Sequence, residues 1–272
     1  MIYQVNGSPA YAYTGGKPFV AEQPTIAFLH GAQNDHSVWA LQSRWFAWHG
    51  WNVLAADLPG HGRSGGPALA TVEAMADWVL ALLDTAGAGK AVLAGHSMGS
   101  LIALEAAHRA PERVSGLALL GTTWPMKVSD ALLAASKDAL PAAIDMVNIW
   151  SHSGPLPRPA CPAPGFSVTG VSRRLMQRLA EQNPDQLFHT DFSACNAYAN
   201  GGAAAAGVNC PVLFVFGARD VMTPPRSAQA LTAALKHGKI VSVDAGHAMM
   251  AEQADAVLDA LIAFAGTLET GR

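Results

Sequence analysis

Short runs of consecutive apolar residues alternate along the chain with longer stretches in which apolar positions recur every three or four residues. This rhythm predicts strands buried on both faces and separated by amphipathic helices: an α/β protein with a mostly parallel central sheet flanked by helices. The strands are expected at Thr25–Leu29, Asn52–Ala56, Ala91–Ala94, Val114–Leu120, Val212–Phe216 and Ile240–Val243. Helices are expected over His36–His49, from a Thr71 cap to about Thr85, over Met98–Arg109, from Pro224 with Thr223 as its cap, and over Met250–Ala265. Ile2–Val5 and Tyr11–Tyr13 read as an opening hairpin around Gly7-Ser8-Pro9.

Between Thr122 and Val208 the alternation stops. Helical patterns occur at Asp130–Trp150 and Val171–Glu181 with no strand between them, Ser153–Gly165 is proline-rich and reads as an extended linker, and Gly201–Gly207 reads as a hinge or a short helix. The expected organisation is a core made of residues 1–121 and 209–272, with residues 122–208 inserted over it as a helical cap.

Composition narrows the class. Half of the 272 residues are hydrophobic and 14% are charged, enough to bury a large core, and a net charge of −3 gives no reason to expect a nucleic-acid partner. The three cysteines, Cys161, Cys195 and Cys210, form no C-x-x-C pair and fit a reducing compartment, with Cys210 read as a buried small hydrophobe. The first residues lack the pattern of a secretory leader, and no apolar run approaches the roughly 18 residues of a membrane span. The expectation is a soluble cytoplasmic protein acting on a small molecule, with no nucleic-acid or membrane partner. No H-E-x-x-H or paired-cysteine site is present, so neither a metal nor an organic cofactor is implied.

The chemistry concentrates where predicted strands end. Gly95-His96-Ser97-Met98-Gly99 fits G-x-S-x-G between a strand and a helix. A serine on that sharp turn needs neighbours two residues away without Cβ atoms, which Gly95 and Gly99 provide, and the Met98 N–H at the helix start points to where an oxyanion would form. Serine needs a base within hydrogen-bond reach. Of ten histidines, His247 in Asp244-Ala245-Gly246-His247 follows the last strand on the same sheet edge. His30 and His61 sit in loops they can brace, and His152 and His189 lie in the insertion, where they can line a pocket. Asp220, in Gly217-Ala218-Arg219-Asp220, follows a buried strand and can orient the imidazole. Its competitor is Asp57, which precedes Ser97 in a glycine-rich loop that suits a bracing role; Asp244 is too near His247 along the chain.

With Ser97, Asp220 and His247 in that order, the sequence resembles the α/β-hydrolase superfamily. His30-Gly31, Asp57-Leu58-Pro59-Gly60-His61-Gly62-Arg63-Ser64, the Ser97 turn, Gly217-Ala218-Arg219-Asp220 and Gly246-His247 carry the resemblance. It implies the Ala32 N–H as a second oxyanion donor, with Gln33 as runner-up, and a helical cap after the sixth strand. It looks closest to the esterase, C–C hydrolase and lactonase branch; serine at 97 counts against haloalkane dehalogenases and epoxide hydrolases, which use aspartate there. Ser100 departs from a frequent third glycine. The implied activity is hydrolysis of a small, fairly apolar carboxylic ester through an acyl-enzyme. C–C bond or lactone hydrolysis by the same triad is the nearest alternative, and a ligand-binding receptor keeping the fold is an alternative of another class. For the substrate pocket the sequence offers Trp124, Met126, Met146, Trp150 and Phe166, with Arg173, Arg174 and Arg178 as groups able to meet a substrate carboxylate or to form a solvated helix face.

Overall fold

A computed structural model describes residues 1–154, 167–183, 185–235 and 237–268. Its strands are β1 (Ile2–Val5), β2 (Ser8–Tyr13), β3 (Thr25–Leu29), β4 (Asn52–Ala56), β5 (Ala91–His96), β6 (Val114–Leu120), β7 (Val212–Gly217) and β8 (Lys239–Val243). They form one eight-stranded sheet in the order β1-β2-β4-β3-β5-β6-β7-β8, with β1 and β2 antiparallel to their neighbours and the rest parallel. The apolar runs are continuous because both faces are covered. On β3, Ala27 and Leu29 enter one core while Ile26 and Phe28 enter the other, and Leu93 and Val92 divide in the same way on β5.

Helices α2 (Val72–Thr85) and α3 (Met98–Arg109) cover one face; α1 (Ala40–Trp48), α10 (Met249–Glu252) and α11 (Ala254–Ala265) cover the other. Thr71 caps α2 as expected, its side chain accepting from the Ala74 N–H at 3.1 Å. Four local expectations shift. The hairpin turns at Asn6-Gly7, both at positive φ, so Ser8 and Pro9 already belong to β2. The segment from His36 begins as a 3-10 turn, His36–Trp39, before α1. Thr223 caps no helix: a 3-10 turn begins at Pro225 and runs into α9 (Gln229–Ala234). The last helical stretch is broken at Gln253, whose backbone at φ −134° and ψ 56° leaves the helical region and separates α10 from α11.

The segment between β6 and β7 is helical throughout its described part: α4 (Asp130–Asp138), α5 (Leu140–Ser151), α6 (Val168–Gln182), α7 (Leu187–Ala197) and α8 (Gly201–Gly207). The expected linker from Ser153 lies outside the described residues from 155 onward. Leu132, Ile144, Val147, Met176, Phe188 and Phe192 give these helices an apolar centre of their own. The small-residue stretch is α8, and its composition serves close packing: Ala204 and Ala205 join the core beside α3, while a Cβ on Gly201 would overlap the Trp124 indole. Helix α7 carries no strong amphipathic pattern, so the spacing of apolar residues does not predict it.

Glu105 pins this segment to the core. It is 1% exposed on α3 and accepts from Arg109 Nε at 2.7 Å, Tyr198 Oη at 2.7 Å and Asn200 Nδ2 at 2.8 Å. Burial alone would raise its carboxyl pKa; the hydrogen bonds from Asn200, Tyr198 and Arg109 outweigh that and hold it below the usual range. Glu105→Ala strands the buried Tyr198 hydroxyl and the half-buried Asn200 amide and is expected to cost about 3 kcal/mol of unfolding free energy, read as a lower urea midpoint at unchanged slope.

Candidate active site

The parallel sheet brings the candidate residues to one edge. Leu29 pairs with Gly95, His96 with Leu120, Leu120 with Val215 and Gly217 with Val243, so the loops after β3, β5, β6, β7 and β8 emerge side by side. Ser97 sits between β5 and α3 with φ 52° and ψ −120°, a conformation a non-glycine residue holds only when its surroundings fix it. They do so here: the Ser97 N–H donates to the Leu120 carbonyl at 2.9 Å, and the Ser97 carbonyl accepts from Ser100 Oγ at 2.5 Å. Ser100, the departure from glycine, therefore braces the turn, and it also bonds Thr122 Oγ1 at 2.8 Å. A Cβ on Gly95 would collide with the Gly99 carbonyl, and one on Gly99 with the Leu29 carbonyl. Met98 is the first residue of α3, where backbone N–H groups have no helical partner.

His247 and Asp220 are both buried, and His247 Nδ1 lies 2.7 Å from Asp220 Oδ2. The same carboxylate accepts the N–H groups of Met222 and Thr223 through Oδ1, each at 2.9 Å. Burial pushes the Asp220 pKa up, but the charge and hydrogen bond of His247 and the donors at Thr223 prevail and bring it down to about 2. The Thr223 hydroxyl is spent here instead of at a helix cap, 2.8 Å from Asp220 Oδ2 and 2.9 Å from the Gly121 carbonyl. Behind the imidazole stands Gly121 at φ 54°, where a Cβ would press to 3.1 Å on the ring. The loop is anchored from outside as well. His96 Nε2 donates to the His247 carbonyl at 2.9 Å, and buried Glu252 accepts the N–H groups of Gly246 and Ser153 at 3.2 Å. Burial and the neighbouring His247 push the His96 pKa down to about 3, so it stays neutral in this role.

The loop after β3 approaches from the other side, with Gly31 so near that a Cβ would lie 3.1 Å from that of Ser97. The Gly31 carbonyl accepts from His30 Nδ1 at 2.9 Å and from the Asn34 N–H at 3.2 Å. A trans peptide then turns the Ala32 N–H the opposite way. The next peptide is held at both ends: the Ala32 carbonyl accepts from Asn34 Nδ2 at 3.1 Å, and the Gln33 N–H donates to Asp191 Oδ2 at 2.8 Å. Gln33, at φ 48°, is itself buried and spends its side chain on the Met176 carbonyl at 3.0 Å. Asp57 takes the bracing role, accepting from His36 and from the Arg63 N–H. Asp35, His36 and Asp57 bring three potential ligand atoms within 4.8 Å of one another, but all three side chains already bond protein groups.

Two chambers of about 420 and 380 Å³ meet over this edge, and Ala32, Ser97, Phe192, Met222 and His247 line both. The larger runs between α5, α6 and α10 and is walled by aliphatic residues such as Val147, Leu175, Met176 and Met250; its described lining contains no Asp, Glu, Lys or Arg. The smaller is lined by Met126, Lys127, Ser129, Trp150 and Cys195 among others. Trp150 and Met126 thus stand where the sequence reading expects a pocket. Trp124 does not: its indole covers Gly201 and Gly202 of α8. Met146 packs on the apolar centre of the helical segment, and Phe166 lies outside the described residues. Arg173, Arg174 and Arg178 line neither chamber, being paired with Asp145, Glu181 and Asp35. His152 and His189 line neither; their rings bond the carbonyls of Asn148 and Leu133. No local motif marks Asp191, Gly121 or Glu252 in the sequence, and Thr223 is marked there only as a helix cap.

A family model described as alpha/beta hydrolase fold matches residues 24–139, and one described as TAP-like protein matches residues 191–272. The chain is 31% identical over 218 residues to a pimeloyl-[acyl-carrier protein] methyl ester esterase of Neisseria meningitidis serogroup C, covering 76% of this chain and 80% of that protein. It is 25% identical over 232 residues to an (E)-2-((N-methylformamido)methylene)succinate hydrolase of Acinetobacter baylyi, covering 82% of each. Among solved structures, the enol-lactonase of Burkholderia xenovorans LB400 superposes with a TM-score of 0.82 at 23% identity, over 98% of this chain and all of that one.

Because the Asp220 pKa of about 2 lies below the ordinary 3.8, the stabilisation it brings is complete above pH 3.8 and is lost as the pH falls through about 2. Asp220→Asn is expected to remove about 2 kcal/mol at neutral pH and to flatten the wild type's acid decline, measured by urea unfolding between pH 7 and pH 2.

Proposed function

The chain belongs to the alpha/beta hydrolase family, and within it we propose a carboxylic ester hydrolase that works through an acyl-enzyme on Ser97. The observation that carries this reading is that Ser97, on its strained turn, and His247, paired with a buried Asp220, open into the same two chambers. His247 takes the Ser97 proton as the hydroxyl attacks the ester carbonyl, and Asp220 holds Nδ1–H so that Nε2 is the basic nitrogen. The N–H groups of Ala32 and Met98 receive the oxyanion. His247 then protonates the departing alkoxide, and a water deprotonated by the same imidazole releases the acid and restores Ser97.

Helices α4 to α7 act as a cap that supplies the chamber walls. The larger chamber, of about 420 Å³ and walled by aliphatic side chains, suits an aliphatic acyl chain. The similarity to a methyl ester esterase supports ester cleavage, and the aliphatic walls of the larger chamber support a fairly apolar acyl group. No helix among the described residues is long and apolar enough to cross a membrane.

Two measurements test the reading. Ser97→Ala should abolish covalent labelling by a fluorophosphonate probe, and labelling that persists overturns the assignment of the nucleophile. On p-nitrophenyl esters, kcat/KM should rise by about two- to fourfold per added methylene until the larger chamber is filled, and then fall. No turnover on any of these esters, with Ser97 still labelled, would move the activity to lactone or C–C bond hydrolysis.

A further inference from the structure

Asp191 is a fully buried carboxylate on α7, 158 residues along the chain from the loop it touches. Its Oδ2 takes two donors, the Gln33 N–H at 2.8 Å and His61 Nε2 at 2.9 Å. His61 is buried too, and its other nitrogen lies 3.1 Å from the Pro59 carbonyl, which can only accept. Both ring nitrogens therefore carry protons, and His61 with Asp191 forms a buried imidazolium–carboxylate pair between the core and the inserted helices. Burial alone would lower the His61 pKa, yet the Asp191 charge and hydrogen bond raise it.

We propose that Asp191 is a positioning residue for the oxyanion loop: anchored by the His61 imidazolium, it fixes the Gln33 N–H and thereby keeps the Ala32 N–H turned toward Ser97. The inference rests on the reading of Ser97 and Ala32 above. Its physical basis is the peptide between Ala32 and Gln33. One end is held by a local bond, Asn34 Nδ2 to the Ala32 carbonyl, and the other by Asp191 alone. Gln33 is in the left-handed region, where a residue with a side chain sits under strain. Without an acceptor at Asp191 the Gln33 N–H would be buried and unpaired, and rotation of that peptide would relieve both costs. Losing that anchor also frees the Ala32 and Gln33 Cα atoms to shift, and a shift of Ala32 moves the preceding peptide and carries its N–H off the position a tetrahedral oxyanion occupies. A residue of the inserted helices thus completes the oxyanion site of the core, and docking of α7 and assembly of that site become one event.

The test compares the wild type with Asp191→Ala and with the double variant His61→Leu plus Asp191→Leu. The double variant removes both charges together, leaves neither unpaired in the interior and is expected to fold. Two readouts are taken on each: the rate at which a fluorophosphonate phosphonylates Ser97, and kcat and KM on a p-nitrophenyl ester. The expected result is a fall of about 10²-fold in phosphonylation rate and in kcat, with KM within a few-fold of wild type, for Asp191→Ala and for the double variant alike. Wild-type rates in the folded double variant would overturn the proposal, because the loss in the single variant would then come only from an uncompensated buried histidine. A loss confined to KM would overturn it as well. If Asp191→Ala fails to fold, the double variant decides alone. Absence of Ser97-dependent labelling in the wild type would defeat the assignment of the nucleophile instead, and wild-type labelling without ester turnover would leave the phosphonylation rates to decide the role of Asp191.

Discussion

The close approach of β3 and β5 governs the rest of the molecule. Leu29 pairs with Gly95 at the point where chain order in the sheet reverses, so the loop after β3 and the turn after β5 leave the sheet as neighbours. Backbone meets backbone there, with no room for a Cβ on Gly95 or Gly99 and little on Gly31. Strain at Ser97 is tolerated because Leu120 on one side and Ser100 on the other hold its peptide groups. A rigid sheet thus presents a hydroxyl, the start of a helix and an imidazole at one edge, leaving the loops only small adjustments to make.

Buried carboxylates make those adjustments. Asp220 fixes the imidazole, Glu252 the loop that carries it, Asp191 the loop after β3, and Glu105 the end of the inserted helices. Each is buried, and each accepts donors from a part of the chain distant in sequence. An ionised group removed from water survives only when such donors surround it. The cost of burial and the accuracy of positioning are therefore two aspects of one arrangement. Asp191 and Glu105 both join the core to the inserted helices, tying chamber walls and reactive edge into one packed unit.

Much of the sheet is legible in the sequence because strands buried on both faces must be continuous apolar runs, and the runs at Thr25–Leu29, Asn52–Ala56 and Val114–Leu120 coincide with β3, β4 and β6. Misreadings gather where local signals compete. Thr223 followed by Pro224 has the look of a helix start, but its hydroxyl lies beside Asp220 and the Gly121 carbonyl. Trp124 looks like a pocket residue, yet packs on glycines some 77 positions away that only folding brings beneath it. Arg173 and Arg178, offered as groups able to meet a substrate carboxylate, are likewise paired, with Asp145 on α5 and with Asp35 in the loop after β3.

Local chemistry was sufficient to single out Ser97, His247 and Asp220 as candidates, since glycines that permit a turn and polar residues that end an apolar run are properties of neighbours in sequence. Only the tertiary structure decided which groups hold those three in place. Gly121 behind the imidazole and Thr223 between the Asp220 carboxylate and the Gly121 carbonyl act through contacts between residues far apart along the chain, as does Asp191 on the loop after β3. A buried polar group reveals its role by the donors around it, and those donors are assembled by packing, not by sequence adjacency.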